Sequence, residues 1–401
     1  MITVAGGTYF ERCESPHWNE FYGSGGRAAV ALSTLSRKVS LHTYVGPDGK
    51  ANLEILGSTF GVAIYPTPIR RTVRFDYFHG LSKPTISKPD KPGTPIRLSG
   101  PTVLRFGFIE GDAVVDGDRV VYDPQSLSDP QPFGKNGSQA RQLAVVANRT
   151  EGELLTREKD PHRVVQKLRS KSSAVVAVLK DGPFGALIAT ARSVQRVPAF
   201  KTGAVWPVGS GDVFAAAFAH FWGEAKMPPV RAARLASRAT AFYCETRTLP
   251  LPRNLARLRA QRNLRPISPR EPGRRRLVYL ASPFFTLSQR WVVDEARAVL
   301  RGRHLKVFSP FHDVGHGLAG DVVPLDLKAL DRADVVYAVI DGLDCGTVFE
   351  VGYARAKGIP VVAFVENESP EALKMIEGSG CVIEKDFTTS IYKTVWAALE
   401  K

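Results

Sequence analysis

Two short stretches of this 401-residue chain combine acids and glycines at spacings that could do chemistry. The first, Asp344-Cys345-Gly346-Thr347-Val348-Phe349-Glu350-Val351-Gly352-Tyr353-Ala354, follows the apolar run DVVYAVI. A strand ending there delivers the acids to the carboxyl edge of a sheet, where open α/β folds hold ligands. Gly346 and Thr347 begin a helix, which puts Glu350 about one turn in, beside the small apolar Val351, Gly352 and Ala354. An acid at a helix start often does no more than favour the dipole, and that suffices for Asp344. Glu350 is different, because a carboxylate among apolar neighbours is costly without a task or a partner. Cys345 is either a reactive thiol at a helix start or, more simply, a small residue filling a tight site.

The second stretch is Val208-Gly209-Ser210-Gly211-Asp212-Val213-Phe214, leading into AAAFAHF. Glycines and a serine entering a helix leave backbone N–H groups at the positive end of the dipole, which makes an anion site. An aspartate in that turn could take a proton from an attacking hydroxyl while the amides hold a transferring phosphoryl group. Alone this is only a tight turn. It gains weight from Asn148-Arg149-Thr150-Glu151 after one apolar run, Lys180-Asp181-Gly182-Pro183-Phe184-Gly185-Ala186 after the next, and Gly23-Ser24-Gly25-Gly26 early in the chain. His312, Asp313 and His316 in SPFHDVGHG could suggest a metal site, but Pro310, Gly315 and Gly317 predict a loop that lines substrate instead.

The elements that must position these groups form two rhythms. ITVAGG, RAAVALSTL, VSLHTYVG, TVLRFGF, RVVYD, LAVVAN, AVVAVLK and ALIAT alternate apolar runs with helical patterns, which predicts a parallel sheet covered by helices. RTVRFDYFHG alternates like a half-exposed strand of a small antiparallel flap, and residues 81–100 are predicted as a loop. A second rhythm runs from RLVYLAS to SIYKTVWAALEK and predicts a compact Rossmann-like unit. Between them, Arg253 to Arg276 holds nine arginines and one acid, interrupted by prolines and Gly273, which predicts a basic helix end and an exposed linker. The expected division is therefore residues 1–262, a linker over 263–275, and residues 276–401.

The glycine-rich motifs, in their order, resemble the ribokinase-like (PfkB-type) sugar and nucleoside kinases over roughly residues 1–262. The resemblance implies a ribokinase-like α/β domain with a small β flap and ATP-dependent phosphorylation of a hydroxyl. It makes Asp212 the base and Gly209, Ser210 and Gly211 the anion hole. Asn148 and Glu151 would organise Mg2+ and phosphate, and Lys180, Gly182 and Gly185 would belong to the nucleotide loop. No direct metal ligand is expected. The departures are Arg27 where the family usually has Asn, and Trp206-Pro207 where it prefers an acid and a hydroxyl residue. Glu11 and Glu14 are the candidates for the family's early substrate-binding acid. Arg27 in the pocket would favour an anionic substrate or mark a site that no longer turns over, so an active kinase and a degenerate, regulatory one both stay open.

The later block, with Leu277-Val278-Tyr279-Leu280-Ala281-Ser282-Pro283-Phe284-Phe285 and Leu325-Asp326-Leu327, resembles the nucleoside 2-deoxyribosyltransferases over residues 276–401. This implies a flavodoxin-like parallel α/β domain in which Glu350 attacks the anomeric carbon and Tyr279 orients it. Asp344 and Asp326 would bind the base and shuttle its proton. Phe284, Phe285, Ser282, Gly346 and His312 would line the substrate site. Cleaving an N-glycosidic bond passes through an oxocarbenium-like state that one carboxylate can trap while a second acid neutralises the departing base. Attack by another base gives transfer; attack by water gives hydrolysis, of a deoxynucleoside or its 5′-monophosphate.

Composition sets the remaining bounds. The 44% hydrophobic and 23% charged residues are ordinary globular usage. No apolar run reaches the roughly 18 residues of a membrane span, and the first residues lack signal-peptide character, so a cytoplasmic location is expected. Four scattered cysteines, Cys13, Cys244, Cys345 and Cys381, suggest neither zinc nor disulfides. The net charge of +15 admits a third reading, a basic nucleic-acid-binding protein, but its concentration at the linker weakens that. The expected partners are nucleosides, free bases and ATP, without nucleic acid or membrane, and a homo-oligomer is expected. ATP and Mg2+ are the cofactors expected for the first half, and none for the second.

Overall fold

A computed structural model describes residues 1–89, 91–126, 128–254, 264–270 and 273–401. The chain divides into two compact units, Met1–Pro266 and Ile267–Lys401.

The strands of the first unit are β1 (Ile2–Ala5), β2 (Phe10–Ser15), β3 (Trp18–Phe21), β4 (Val39–Val45), β5 (Ala63–Pro68), β6 (Arg74–His79), β7 (Thr85–Ser87), β8 (Ile96–Phe106), β9 (Ala113–Asp123), β10 (Gln139–Asn148), β11 (Val176–Lys180), β12 (Ala186–Ala189) and β13 (Val194–Val197). Nine of them form one sheet in the order β13-β12-β11-β10-β9-β8-β1-β4-β5. It is parallel from β11 to β5 and antiparallel at β12 and β13.

Its strands are apolar at successive positions because both faces are covered. Val176 and Val178 face one core, while Ala177 and Leu179 face the other. The first core receives α1 (Gly23–Leu32), α5 (Ser210–Phe218) and α6 (Pro229–Thr246). α2 (Lys50–Phe60) and α3 (Arg149–Thr156) lie between these in the chain, and α4 (Pro161–Lys171) packs Val164, Val165 and Leu168 into the second core.

The flap is a four-stranded sheet, β3-β2-β6-β7. It is mixed rather than antiparallel, since β2 and β6 run parallel with Phe10 opposite Arg74. The segment expected as a loop over 81–100 holds β7 and the start of β8. β7 pairs with β6 alone, and a three-residue edge strand tolerates the prolines and lysines around it.

The second unit has β14 (Leu277–Ala281), β15 (Lys306–Phe308), β16 (Val335–Val339), β17 (Val361–Phe364) and β18 (Val382–Glu384), all parallel, in the order β15-β14-β16-β17-β18. The order reverses direction beside β14, so the crevice at the carboxyl ends of β14 and β16 is the ligand position of such sheets. The helices are α7 (Leu287–Gly302), α8 (Pro310–Asp313), α9 (Ala319–Leu330), α10 (Cys345–Ala356), α11 (Pro370–Gly378) and α12 (Phe387–Glu400). Side-chain caps start several of them. Thr286 and Gln289 form a capping box on α7, and Ser369 and Asp386 cap α11 and α12.

The basic run is not simply an exposed linker. Arg276 is fully buried, and with Arg274 it faces Asp334 at 3.5 and 3.0 Å, while Asp334 also accepts the Leu277 N–H at 2.8 Å. Arg275 donates to the His304 carbonyl, and Arg265 accepts from Lys201 through its backbone. Arg257, Arg259 and Arg262 lie outside the described residues. Among the described residues, no helix is long and apolar enough to cross a membrane.

Candidate active sites

In the second unit, β14 ends on Tyr279, Leu280 and Ala281, and the chain then turns through Ser282 and Pro283 to Phe284 and Phe285. From the neighbouring β16 the chain reaches Asp344 and α10. Asp344 is the N-cap: one carboxylate oxygen accepts from the Thr347 N–H at 2.8 Å and its hydroxyl at 2.9 Å. Gly346 follows, and a side chain there would meet Asp344 Oδ2 at 3.2 Å. Glu350 is one turn further on, and the buried Tyr279 hydroxyl donates to its Oε1 at 2.5 Å.

Burial pushes the Glu350 carboxyl up to about 7; the Asp326 and Asp344 carboxylates add to the rise, and the Tyr279 hydrogen bond opposes it. Burial beside Glu350 drives the Tyr279 phenol far above its ordinary range, so it stays a donor. Asp326, on α9, has a buried Oδ1 without a hydrogen-bond partner, and burial raises its carboxyl too. Tyr279, Asp326, Asp344 and Glu350 are therefore brought together as one electrostatically coupled group.

The aromatic residues form an adjoining cluster. Phe284 lies 5.1 Å from Phe285 and 5.1 Å from Phe311, with His316 at 6.1 Å. Phe311 was not singled out by sequence, although it sits in the same SPFHDVGHG segment. His312 departs from expectation. It lies in the one-turn α8 rather than a loop, and its two ring nitrogens contact Ser309 Oγ at 3.1 Å and Asp294 Oδ1 at 2.8 Å. It fastens α8 to α7, and both ring nitrogens are taken up in doing so. Cys345 is exposed at the first position of α10.

The first unit centres on the start of α5. Gly209 is its N-cap at φ +75°, and Asp212 lies in the first turn. The Ser210 N–H turns back to the Pro207 carbonyl, so one of the amides expected in the anion hole already has an acceptor, and the Asp212 N–H turns back to Gly209. Arg27, expected to line the pocket, lies behind it. Its guanidinium is only 1% exposed and sits between two carboxylates, Glu11 at 2.5 Å and Asp212 at 2.9 Å. Its Nε donates to Tyr243 Oη at 3.2 Å, and that hydroxyl donates to the Val208 carbonyl. Burial would strip the guanidinium of its proton, but Glu11, Tyr243 and Asp212 outweigh it and hold the charge. Of the two candidate early acids, Glu11 is the buried one; Glu14 is exposed and paired with Arg12. Trp206 fills the core against Trp18, with ring centres 5.2 Å apart.

A second buried pair lies alongside. Lys180 bonds Asp123, and a side chain on Gly211 would meet the Lys180 ammonium at 3.3 Å. Burial disfavours the ammonium, but Asp123 and Glu151 outweigh this and keep it protonated. Asn148 and Glu151 form a reciprocal capping box on α3. Asn148 Oδ1 and one Glu151 oxygen are thereby engaged, and among the described residues no three acidic, His or Cys side chains group to hold a metal. Gly182 and Gly185 bracket a tight turn after β11, and a side chain on Gly185 would strike the Val197 carbonyl at 2.2 Å.

Asp123, Gln125 and Tyr243 were missed. Asp123 ends the strand RVVYD, and an acid at a strand's carboxyl end was the available signal.

A cavity of about 710 Å3 opens in front of this group, floored by Glu11, Glu151 and Asp212 and walled by Tyr9, Phe75 and Tyr77.

Comparison with known proteins follows the same division. Residues 119–250 match the family model of the pfkB family carbohydrate kinases, and residues 278–388 match that of the nucleoside 2-deoxyribosyltransferases. No curated protein matches. Solved structures similar to the chain include a pyrophosphate-dependent kinase in the ribokinase family, complexed with a pyrophosphate analog and myo-inositol. It is 15% identical, with a TM-score of 0.48, covering 64% of this chain and 99% of that one. A ribokinase from Thermotoga maritima is 16% identical (TM-score 0.45; 66% and 96% covered). A fructokinase from Vibrio cholerae O395 in fructose-, ADP- and calcium-bound form is 17% identical (TM-score 0.47; 61% and 92% covered). The two matched segments thus resemble the pfkB family carbohydrate kinases and the nucleoside 2-deoxyribosyltransferases respectively.

Proposed function

We propose that the second unit cleaves and transfers the N-glycosidic bond of 2′-deoxynucleosides through Glu350. The observation that carries this reading is the 2.5 Å hydrogen bond from Tyr279 to Glu350 at the switch point of the sheet. It fixes one carboxylate oxygen and leaves the other for attack. With its carboxyl raised to about 7, Glu350 is substantially ionised at neutral pH while remaining poorly solvated, which suits a nucleophile. The carboxylate forms an ester bond to the anomeric carbon as the bond to the base breaks. The bonding pair leaves with the base, which receives a proton from Asp326 or Asp344. A second base attacking the same carbon releases Glu350 and completes transfer. Phe284 and Phe285 supply apolar faces for the planar base.

Exposed apolar side chains, Phe285, Leu287, Trp291, Leu325 and Phe349, support assembly as a homo-oligomer. The first unit contributes the kinase-type domain, and the state of Asp212 decides whether it turns over.

The test is incubation with a deoxynucleoside and a second free base, with products separated chromatographically. A new deoxynucleoside supports transfer, whereas free deoxyribose supports hydrolysis in the same site. Glycosidic cleavage that survives intact in Glu350→Ala overturns the assignment.

A further inference from the structure

We propose that the cavity of the first unit binds an uncharged, hydroxyl-bearing ligand without phosphorylating it, and that Arg27 is the block. The inference is independent of the glycosyl chemistry of the second unit.

Three observations carry it. First, the base is occupied. Asp212 Oδ2 accepts from Arg27 at 2.9 Å and Oδ1 from Gln125 at 2.5 Å, so each oxygen already holds a donor where a substrate hydroxyl would have to place its proton. Second, Arg27 packs against the phosphate loop from behind. A side-chain carbon on Gly209 would fall 2.1 Å from Arg27 Nε, so the guanidinium packs directly under the loop that a transferring phosphoryl group would approach.

Third, the cavity's own chemistry selects the ligand. Two cations, Arg27 and Lys180, face four carboxylates, Glu11, Asp212, Asp123 and Glu151. Lys88 is the one cation among the described residues lining the cavity. With Lys88, three cations stand against four carboxylates, and the uncompensated negative charge disfavours a phosphorylated ligand. The Ser24 hydroxyl, 4% exposed and lining the cavity, has no hydrogen-bond partner, which marks a place for a ligand hydroxyl. Tyr9 and Phe75 stack at 5.3 Å along the wall and offer a flat apolar face. The volume lies within the range of small-molecule sites.

The full-length protein is the object of the test, with inosine and inosine 5′-monophosphate as probes. Calorimetric titration should show inosine binding at least tenfold more tightly than its monophosphate. Ile86 lines the cavity from the flap and is a member of none of the buried ion pairs, so Ile86→Trp should abolish the binding while leaving deoxyribosyl transfer intact. Binding should persist in Glu350→Gln. With Mg-ATP and inosine the native protein should form no ADP above background. Arg27→Asn frees Asp212 to take the hydroxyl's proton while the γ-phosphoryl group moves to that oxygen and ADP leaves. That variant should gain at least tenfold in inosine-dependent ADP formation and lose it again on adding Asp212→Asn. Arg27→Lys, which keeps a buried cation but cannot bridge both carboxylates, should gain in the same direction if the Asn variant does not fold.

Equal or tighter binding of the monophosphate overturns the proposal, as does failure of inosine to bind. So does binding lost in Glu350→Gln but kept in Ile86→Trp. Inosine-dependent ADP formation by the native protein also overturns it, and no gain in folded Arg27→Asn or Arg27→Lys removes Arg27 as the block.

Discussion

At the scale of single residues, the Tyr279 and Glu350 pair makes the sharpest claims. Removing a hydrogen bond to a charged group costs about 1.5–3 kcal/mol, so Tyr279→Phe should lower kcat roughly 10- to 150-fold. The same bond holds the Glu350 carboxyl down, so the rising limb of the pH–rate profile, expected near 7 in the native protein, should move to higher pH in Tyr279→Phe. The sign for stability is the reverse of the usual acid. A carboxyl raised in the folded state binds its proton more tightly there than in the unfolded chain, so this contribution falls as pH rises from about 4.5 to about 7 and stays low above. Glu350→Gln should therefore be more stable than native above pH 7, by at most about 3 kcal/mol, in denaturant titrations. The sequence made this pair legible, because a motif fixes Glu350 on a helix and Tyr279 on a strand. It did not reveal that Arg27 is buried against Glu11 and Asp212, since those partners lie 16 and 185 residues away and only the fold joins them.

At the scale of elements, α10 depends on the same Asp344 that the chemistry would use. Asp344→Ala removes the N-cap and should cost about 1 kcal/mol, seen as a lower Tm. Asp344→Ser keeps a capping oxygen and should restore most of that stability while glycosyl transfer stays impaired. Recovery of both together would assign Asp344 a capping role only. The βα rhythm that carries α10 was legible because buried parallel strands are continuous apolar runs. The flap was half legible. β6 showed its alternation, but β2, β3 and β7 are short segments rich in polar residues, β3 and β7 at the edges, whose pairing is decided by their neighbours. His312 followed the same logic, since its partner Asp294 is visible only once α7 is placed beside α8.

At the scale of the whole molecule, the basic excess is partly structural. Asp334 pairs with both Arg274 and the fully buried Arg276, so Asp334→Ala should strand a buried guanidinium and destabilise the second unit by about 3–5 kcal/mol in thermal or denaturant unfolding. With Arg276 buried rather than presented at the surface, duplex DNA binding should be weak at physiological salt by fluorescence anisotropy. Tight binding that falls steeply with salt would revive the nucleic-acid reading.

The buried Arg27 bridge also bears on how such a chain can change over generations. Losing Arg27 alone leaves Glu11 and Asp212 as unrelieved buried negative charge, and losing Asp212 alone weakens the compensation of a buried positive one. Each single step is penalised, and only concerted replacements pass easily. The trio therefore acts as a ratchet: once an arginine has settled between these carboxylates, drift does not readily return the site to an earlier arrangement, and descendants inherit the three residues as a set.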